Sequence, residues 1–239
     1  MISARLAYRI ALGAGLLALL IAVVFKLVPI HACGTVPSSG TVISEELARS
    51  QADIDAIFVP VAGQPACTAA RAHDLNVQTI IDSAAFIPAY GALLLFFFLA
   101  MVPRDEHAAF AGFVMSAVAM VADYAENTCL FLINAHPDAP GWALGLLPWA
   151  TGVKWLLIGL AGAVGGMILL KAGRVNYPAA LCGALGLLGS ALAIANPGEF
   201  KSLAALTALP LLAFLVVAGR NAFGDASTVP ELEIENGAG

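Results

Sequence analysis

Six stretches of this 239-residue chain are long enough, or nearly so, to cross about 30 Å of hydrocarbon as helices of roughly 20 residues each. They cover residues 10–30, 79–102, 108–135, 146–170, 177–196 and 202–219. This pattern leaves few folds open. In lipid every backbone N–H and C=O must find a partner inside the protein, which only helices and closed barrels achieve. Runs this long and uniformly apolar are not barrel strands. The sequence therefore predicts an all-α, polytopic transmembrane bundle of about six spanning helices. Composition agrees, with 60% apolar and 11% charged residues, against roughly 45–50% and about 25% in soluble domains.

Lys and Arg beside the spans set the expected orientation. With the N-terminus inside, the cytoplasmic segments hold Arg5, Arg9, Arg104, Lys171, Arg174 and Arg220, and the outside holds Arg49, Arg71 and Lys201. Both termini are then cytoplasmic. Residues 1–220 read as one transmembrane domain and residues 221–239 as a disordered acidic tail with little to bury. The formal charge of −5 comes largely from a loop and this tail, so it is no nucleic-acid footprint. A multi-pass protein of a bacterial plasma membrane is the expected setting.

That topology puts one large loop, residues 31–78, outside the cytoplasm with Cys33 and Cys67 in it. An oxidising compartment favours a disulfide there, and closing so long a loop contributes about 3–4 kcal/mol of constraint. Ser44-Glu45-Glu46 is expected to open a short amphipathic helix running to about Phe58, with Ser44 as N-cap. Residues 60–65 then turn the chain, and from Thr68 it runs as helix into the second span. A rival reading makes the first span a cleaved signal, with Arg5 and Arg9 as its basic region and Ile30-His31-Ala32-Cys33 loosely imitating a lipoprotein cleavage site. Lys26 and His31 fit that reading poorly, and a lipidated Cys33 would be unable to pair with Cys67.

Chemistry is expected where ionisable groups lie within the membrane, each costing about 2.5–3.5 kcal/mol to insert. The chain has five such groups, Lys26, Asp82, Asp123, Glu126 and Lys154. At 1.5 Å of rise per residue all five fall in the outer half of the bilayer, Glu126 and Lys154 each about 12 Å in. Asp123, Glu126 and Asn127 follow i, i+3, i+4 spacing and share one face of the third span. Asp82, Phe86 and Tyr90 form a stripe on the second. Trp149, Thr151, Lys154 and Trp155 place amphipathic groups at similar depth on the fourth. The expected picture is a polar pocket among the first four spans, opening outward beneath the loop. Asp123, Glu126 and Lys154 are its candidate catalytic groups, and Asp82, Tyr90, Asn127 and Trp155 its candidate binding groups. Three carboxylates against two ammonium groups leave negative charge to be neutralised by a retained proton or a bound cation. The plainer alternative is that Asp123 or Glu126 pairs with Lys154, and Asn127 bonds a neighbouring helix, so that the cluster staples the bundle.

The stretch Ala122-Asp123-Tyr124-Ala125-Glu126-Asn127, preceded by Asp82 and the Phe86-Ile87-x-x-Tyr90 element and followed by Lys154-Trp155, resembles a pattern in small uncharacterised bacterial integral membrane proteins. The likeness covers the second to fourth spans. It supports the site and supplies no reaction.

Other features carry less. His31, His73, His107 and His136 lie in loops or at span ends without metal spacing, the cysteines show no C-x-x-C, and no metal or cofactor is expected. Gly159, Gly162, Gly165 and Gly166, with Gly183, Gly186 and Gly189, read as close helix packing. Three function classes follow. One is an enzyme acting on, or a protein binding, a membrane lipid or isoprenoid through carboxylate acid–base chemistry. Another is proton- or cation-coupled transport, or reception, of a small hydrophobic molecule. The third is an accessory subunit packing on a membrane-protein partner or on its own copies.

Overall fold

A computed structural model describes residues 2–62, 66–195 and 200–224, without the side chains of residues 39 and 200–205. It is an all-α bundle. Helix α1 spans Ala4–Leu27; α2 (Thr41–Glu46) and α3 (Gln51–Phe58) lie in the long loop; α4 (Thr68–Ile81) passes through a π-turn, Asp82–Phe86, into α5 (Ile87–Met101). Then come α6 (Glu106–Ala135), α7 (Trp142–Lys171), α8 (Tyr177–Ala195) and α9 (Phe200–Phe223). Six helical segments are long and apolar enough to cross a membrane, the second of them the continuous rod Thr68–Met101.

Short connections make successive spans neighbours. α5 packs on α6, α6 on α7, α7 on α8 and α8 on α9, while α1 rests on α5 and closes the ring against α9. The ring surrounds an apolar centre. Phe97 stacks on Phe214 at 4.0 Å between centroids, and Phe98 and Tyr8 meet this pair edge-on. Leu16, Leu20 and Val23 of α1, Val121 of α6 and Val216 of α9 point outward, as a lipid-facing belt requires. The glycines on α7 and α8 do bring backbones together. A Cβ on Gly183 would lie 2.3 Å from the Gly162 carbonyl oxygen, which is no distance for any side chain.

The loop folds back as a cap over one end of the bundle. Cys33 and Cys67 are disulfide-bonded. Beside the bridge Gly34 adopts φ +63°, and a Cβ there would strike the Ala56 carbonyl oxygen, which instead accepts the Thr35 amide at 2.8 Å. Arg71, fully buried, donates to the Thr41 hydroxyl at 2.6 Å and the Cys33 carbonyl at 2.7 Å. Asp74 accepts the His31 amide at 2.7 Å and lies 2.6 Å from its Nδ1.

The cap differs from the single helix expected from Ser44 to Phe58. Ser44 sits inside α2, its hydroxyl bonded back to the Gly40 carbonyl at 2.8 Å. The chain restarts at Ser50, which forms a capping box with Asp53, so the S-x-x-D pattern there overrides helical continuity. At the chain's end residues 221–223 extend α9. Most of the expected acidic tail, residues 225–239, lies outside the described residues, as do residues 63–65 of the expected 60–65 turn.

Candidate functional site

The spacing on α6 puts Asp123, Glu126 and Asn127 on its inward face, and all three are buried. Opposite them α7 presents Thr151, Lys154 and Trp155, with Lys154 only 4% exposed. Its ammonium is the centre of the site. Nζ donates to Glu126 Oε1, lies 3.3 Å from Asp123 Oδ1 and 3.6 Å from Glu46 Oε2, and stands 5.0 Å from the Trp155 ring centroid. Such a cation over an indole face gains further attraction.

The second span completes the far wall. The Tyr90 hydroxyl donates to Asp123 Oδ2 at 2.6 Å, so both oxygens of that carboxylate are engaged. Asn127 Nδ2 donates to Asp82 Oδ2 at 2.6 Å and to Ser83 Oγ at 2.9 Å. Asp82 and Ser83 open the π-turn, where one extra residue per turn widens the helix and re-aims its side chains, as such turns do at functional sites. Asp82 is half-buried and Tyr124, which donates to the Ser83 carbonyl at 3.2 Å, is 41% exposed. This edge of the cluster therefore reaches the bundle's outer surface between α6 and the π-turn.

All seven intramembrane residues singled out from the sequence, Asp82, Tyr90, Asp123, Glu126, Asn127, Lys154 and Trp155, are thus brought together. Lys26 is not. It sits exposed at the end of α1, long enough to reach an interface on its own. The contribution of α1 is instead Phe25, edge-on to Phe86, which packs in turn on Tyr90.

Sequence reasoning missed the cap's share. α2 lays Glu46 over Lys154, and the Thr151 hydroxyl fastens it there by donating to the Glu46 carbonyl oxygen at 3.1 Å. Neighbouring Glu45 is buried beside Asn134 and within reach of the Arg71 charge. Burial pushes the Glu46 carboxyl up to about 8, Lys154 opposing and the charges of Glu126, Asp123 and Asp82 adding to the rise. Glu45 is driven well above the carboxylate range by burial and by Glu46. The available signal was two adjacent acids in a segment that otherwise carries apolar residues on one face. Nothing local says that the segment folds back onto the fourth span.

Three carboxyl groups, from Glu46, Asp123 and Glu126, thus gather around one ammonium, and a fourth, Asp82, stands on Asn127 beside them. Glu46 Oε2 and Glu126 Oε2 are buried and accept no hydrogen bond among the described residues. Fully ionised, that arrangement would bury several uncompensated charges, which is prohibitive. Protons can resolve the surplus. A site of this kind can give and take protons at fixed positions while Lys154 and the Tyr90 hydroxyl steady developing negative charge. Among the described residues no group of three or more His, Cys, Asp or Glu side chains is placed to hold a metal ion.

Further from the cap, no charged side chain is buried among the described residues. Beyond Tyr90 the second span continues with Leu93, Leu94, Phe97, Phe98 and Met101, all buried against the central aromatic stack. The site thus lies towards the capped end of the bundle, covered there by Glu46. No family model matches the chain, and neither a curated protein nor a solved structure proved similar to it.

Proposed function

We propose that this protein binds a lipid or isoprenoid in the outer leaflet of a bacterial plasma membrane and acts on it by carboxylate acid–base chemistry. One observation carries the reading: three carboxyl groups, from Glu46, Asp123 and Glu126, lie around the Lys154 ammonium, and Asn127 holds a fourth, half-buried Asp82, close to exposed Tyr124. A structural staple is complete with Lys154 and one partner, and the additional acids are costly without a use. Asp123 and Glu126 serve as general acid and base, Lys154 stabilises charge, and Asp82, Tyr90, Asn127 and Trp155 position the ligand's polar group.

Proton-coupled transport is the lesser reading. The buried apolar layer of Leu94, Phe97, Phe98 and Phe214 separates the site from the other end of the bundle, so coupling would require this layer to rearrange.

The test is native mass spectrometry of the protein extracted in mild detergent, followed by release and identification of bound molecules. Wild type is expected to carry a lipid or isoprenoid and its converted form. Asp123→Asn and Glu126→Gln are expected to retain the unconverted molecule alone. Recovery of no lipid-like molecule, or the same ratio of forms in all three proteins, would overturn the proposal.

A further inference from the structure

The cap does more than cover the site. A small crevice lies where the turn after α2 meets α7 and α8, lined by Glu46, Arg49, Thr151, Gly152, Trp155 and Ile194. Arg49 holds its rim, donating to the Ile194 carbonyl oxygen at 3.3 Å. Glu46 belongs to two places at once. Its side chain lines this crevice and keeps 14% of its surface open, while its Oε2 lies 3.6 Å from Lys154 Nζ. On the far side of that ammonium are Asp123 and Glu126, then Tyr90 on Asp123. Beyond Tyr90 comes the apolar layer already described.

From this geometry we infer that Glu46 is the group through which the buried cluster exchanges protons with the capped side, the crevice being the entrance. The inference rests on the acid–base reading of the site, but its test uses no lipid. In the inward step, hydronium in the crevice gives a proton to the Glu46 carboxylate and leaves as water. Glu46 passes a proton to Lys154 as Lys154 releases one to Asp123 or Glu126. Only O–H and N–H bonds form and break, Lys154 ends as it began, and the cluster gains one proton. Chains of carboxyl and amine groups act as such relays in membranes.

The groups facing Glu46 make it suited to the task. Lys154 from α7 attracts its ionised form; Asp123 and Glu126 from α6, Asp82 from the π-turn and Glu45 beside it repel that form. Arg49 stands at the crevice rim. These opposing influences, together with burial, leave the Glu46 carboxyl titrating near neutrality instead of locked in one state. A relay must both load and release. Oε2 of Glu46, though ion-paired with Lys154, and Oε2 of Glu126 accept no hydrogen bond among the described residues, so each can still take a proton donor beside the ammonium.

The test is infrared spectroscopy of the protein in lipid nanodiscs, following how fast the carbonyl band of the remaining protonated carboxyls shifts after transfer to D2O. Two variants block the route independently. Glu46→Gln removes the relay group, and Gly152→Leu adds bulk at a residue lining the crevice, where no described atom outside its own stretch of α7 lies within 4 Å of a Cβ. Without the relay, exchange must wait for local opening of the cap, so each variant is expected to slow it about tenfold or more. Glu46→Asp is expected to restore most of the rate. Exchange as fast as wild type in Gly152→Leu, or in a folded Glu46→Gln, would overturn the inference and point to entry past Asp82. Absence of any protonated carboxyl band in wild type would overturn the acid–base reading as well. Slowed exchange in a protein that carries no lipid would support the relay while sinking the proposed lipid chemistry.

Discussion

Lys154 is the residue on which the polar end of the bundle depends. Replacing it by Met removes the partner of three buried carboxyl groups, and breaking a buried pair from one side typically costs about 3–5 kcal/mol. Lys154→Met is therefore expected to lower the thermal midpoint sharply, while the double variant Lys154→Met, Glu126→Gln recovers part of the loss. Thermal unfolding in detergent, followed by circular dichroism, measures both. Glu46 acts in the opposite sense with pH. Its carboxyl moves from an ordinary 4.5 to about 8 in the fold, so between these values the folded protein holds more protons than the unfolded chain. Stability linked to Glu46 is thus full below about pH 4.5 and falls as pH rises towards 8. Glu46→Gln is expected to flatten that decline, read as the thermal midpoint across the same pH range. The two residues also show what the sequence could reveal. Asp123, Glu126 and Asn127 share a face by helical geometry alone, and apolar surroundings make any charge conspicuous. Glu46 meets Lys154 across more than a hundred residues of chain, and its local pattern, two acids after a serine, reads as a helix start.

At the scale of elements, long periodic stretches were legible because a membrane admits so few alternatives. All six expected spans correspond to helices, with ends shifted by a few residues where caps decide the boundary. α1 stops at Leu27, close before Pro29, whose ring disfavours helix in the residue preceding it. The cap was less legible, since short helices depend on capping and tertiary contacts more than on periodicity. Small residues on α7 and α8 were read as packing, and their geometry makes a sharp prediction. Gly183→Val sets side-chain atoms against the Gly162 carbonyl, 2.3 Å from where its Cβ would stand. Because backbone must yield, α7 and α8 are expected to separate and the thermal midpoint to fall. Gly13→Ala on α1, with nothing within 4 Å, is expected to be neutral or mildly stabilising in the same assay.

The capped end of the molecule carries the buried charge cluster and the far end a separate set of polar contacts, Lys171 with Asp105 and Arg220 with Asn176, and this asymmetry must be set against a membrane. From the distribution of Lys and Arg we propose that the capped end faces outside. In a background with Cys129 and Cys182 replaced by Ser, Ala52→Cys on the exposed face of the cap and Ala172→Cys at the other end of α7 provide the test. A membrane-impermeant maleimide applied to intact cells is expected to label the first and spare the second. Labelling of Ala172→Cys alone would invert the proposed orientation. α8 and α9, free of charge within their spans, look like scaffold in the sequence. In the fold α9 supplies Phe214 to the floor and α8 lends Ile194 to the rim of the crevice.

One feature joins these scales. The rod Thr68–Met101 starts beside the bridged Cys67, carries Arg71 and Asp74 into the cap, passes the π-turn at the site and ends in the apolar floor. It departs from ordinary α-helix at that turn. Deleting one residue from that turn, Ala84 for instance, would restore an ordinary helix and leave the arms above and below it in nearly the same register, since the turn absorbs a single extra residue. The hydrogen bonds from Asn127 to Asp82 and Ser83 would be lost, while the Arg71 anchorage and the floor keep their facing. The extra residue thus aims Asp82 and Ser83 at Asn127 without turning the cap against the floor.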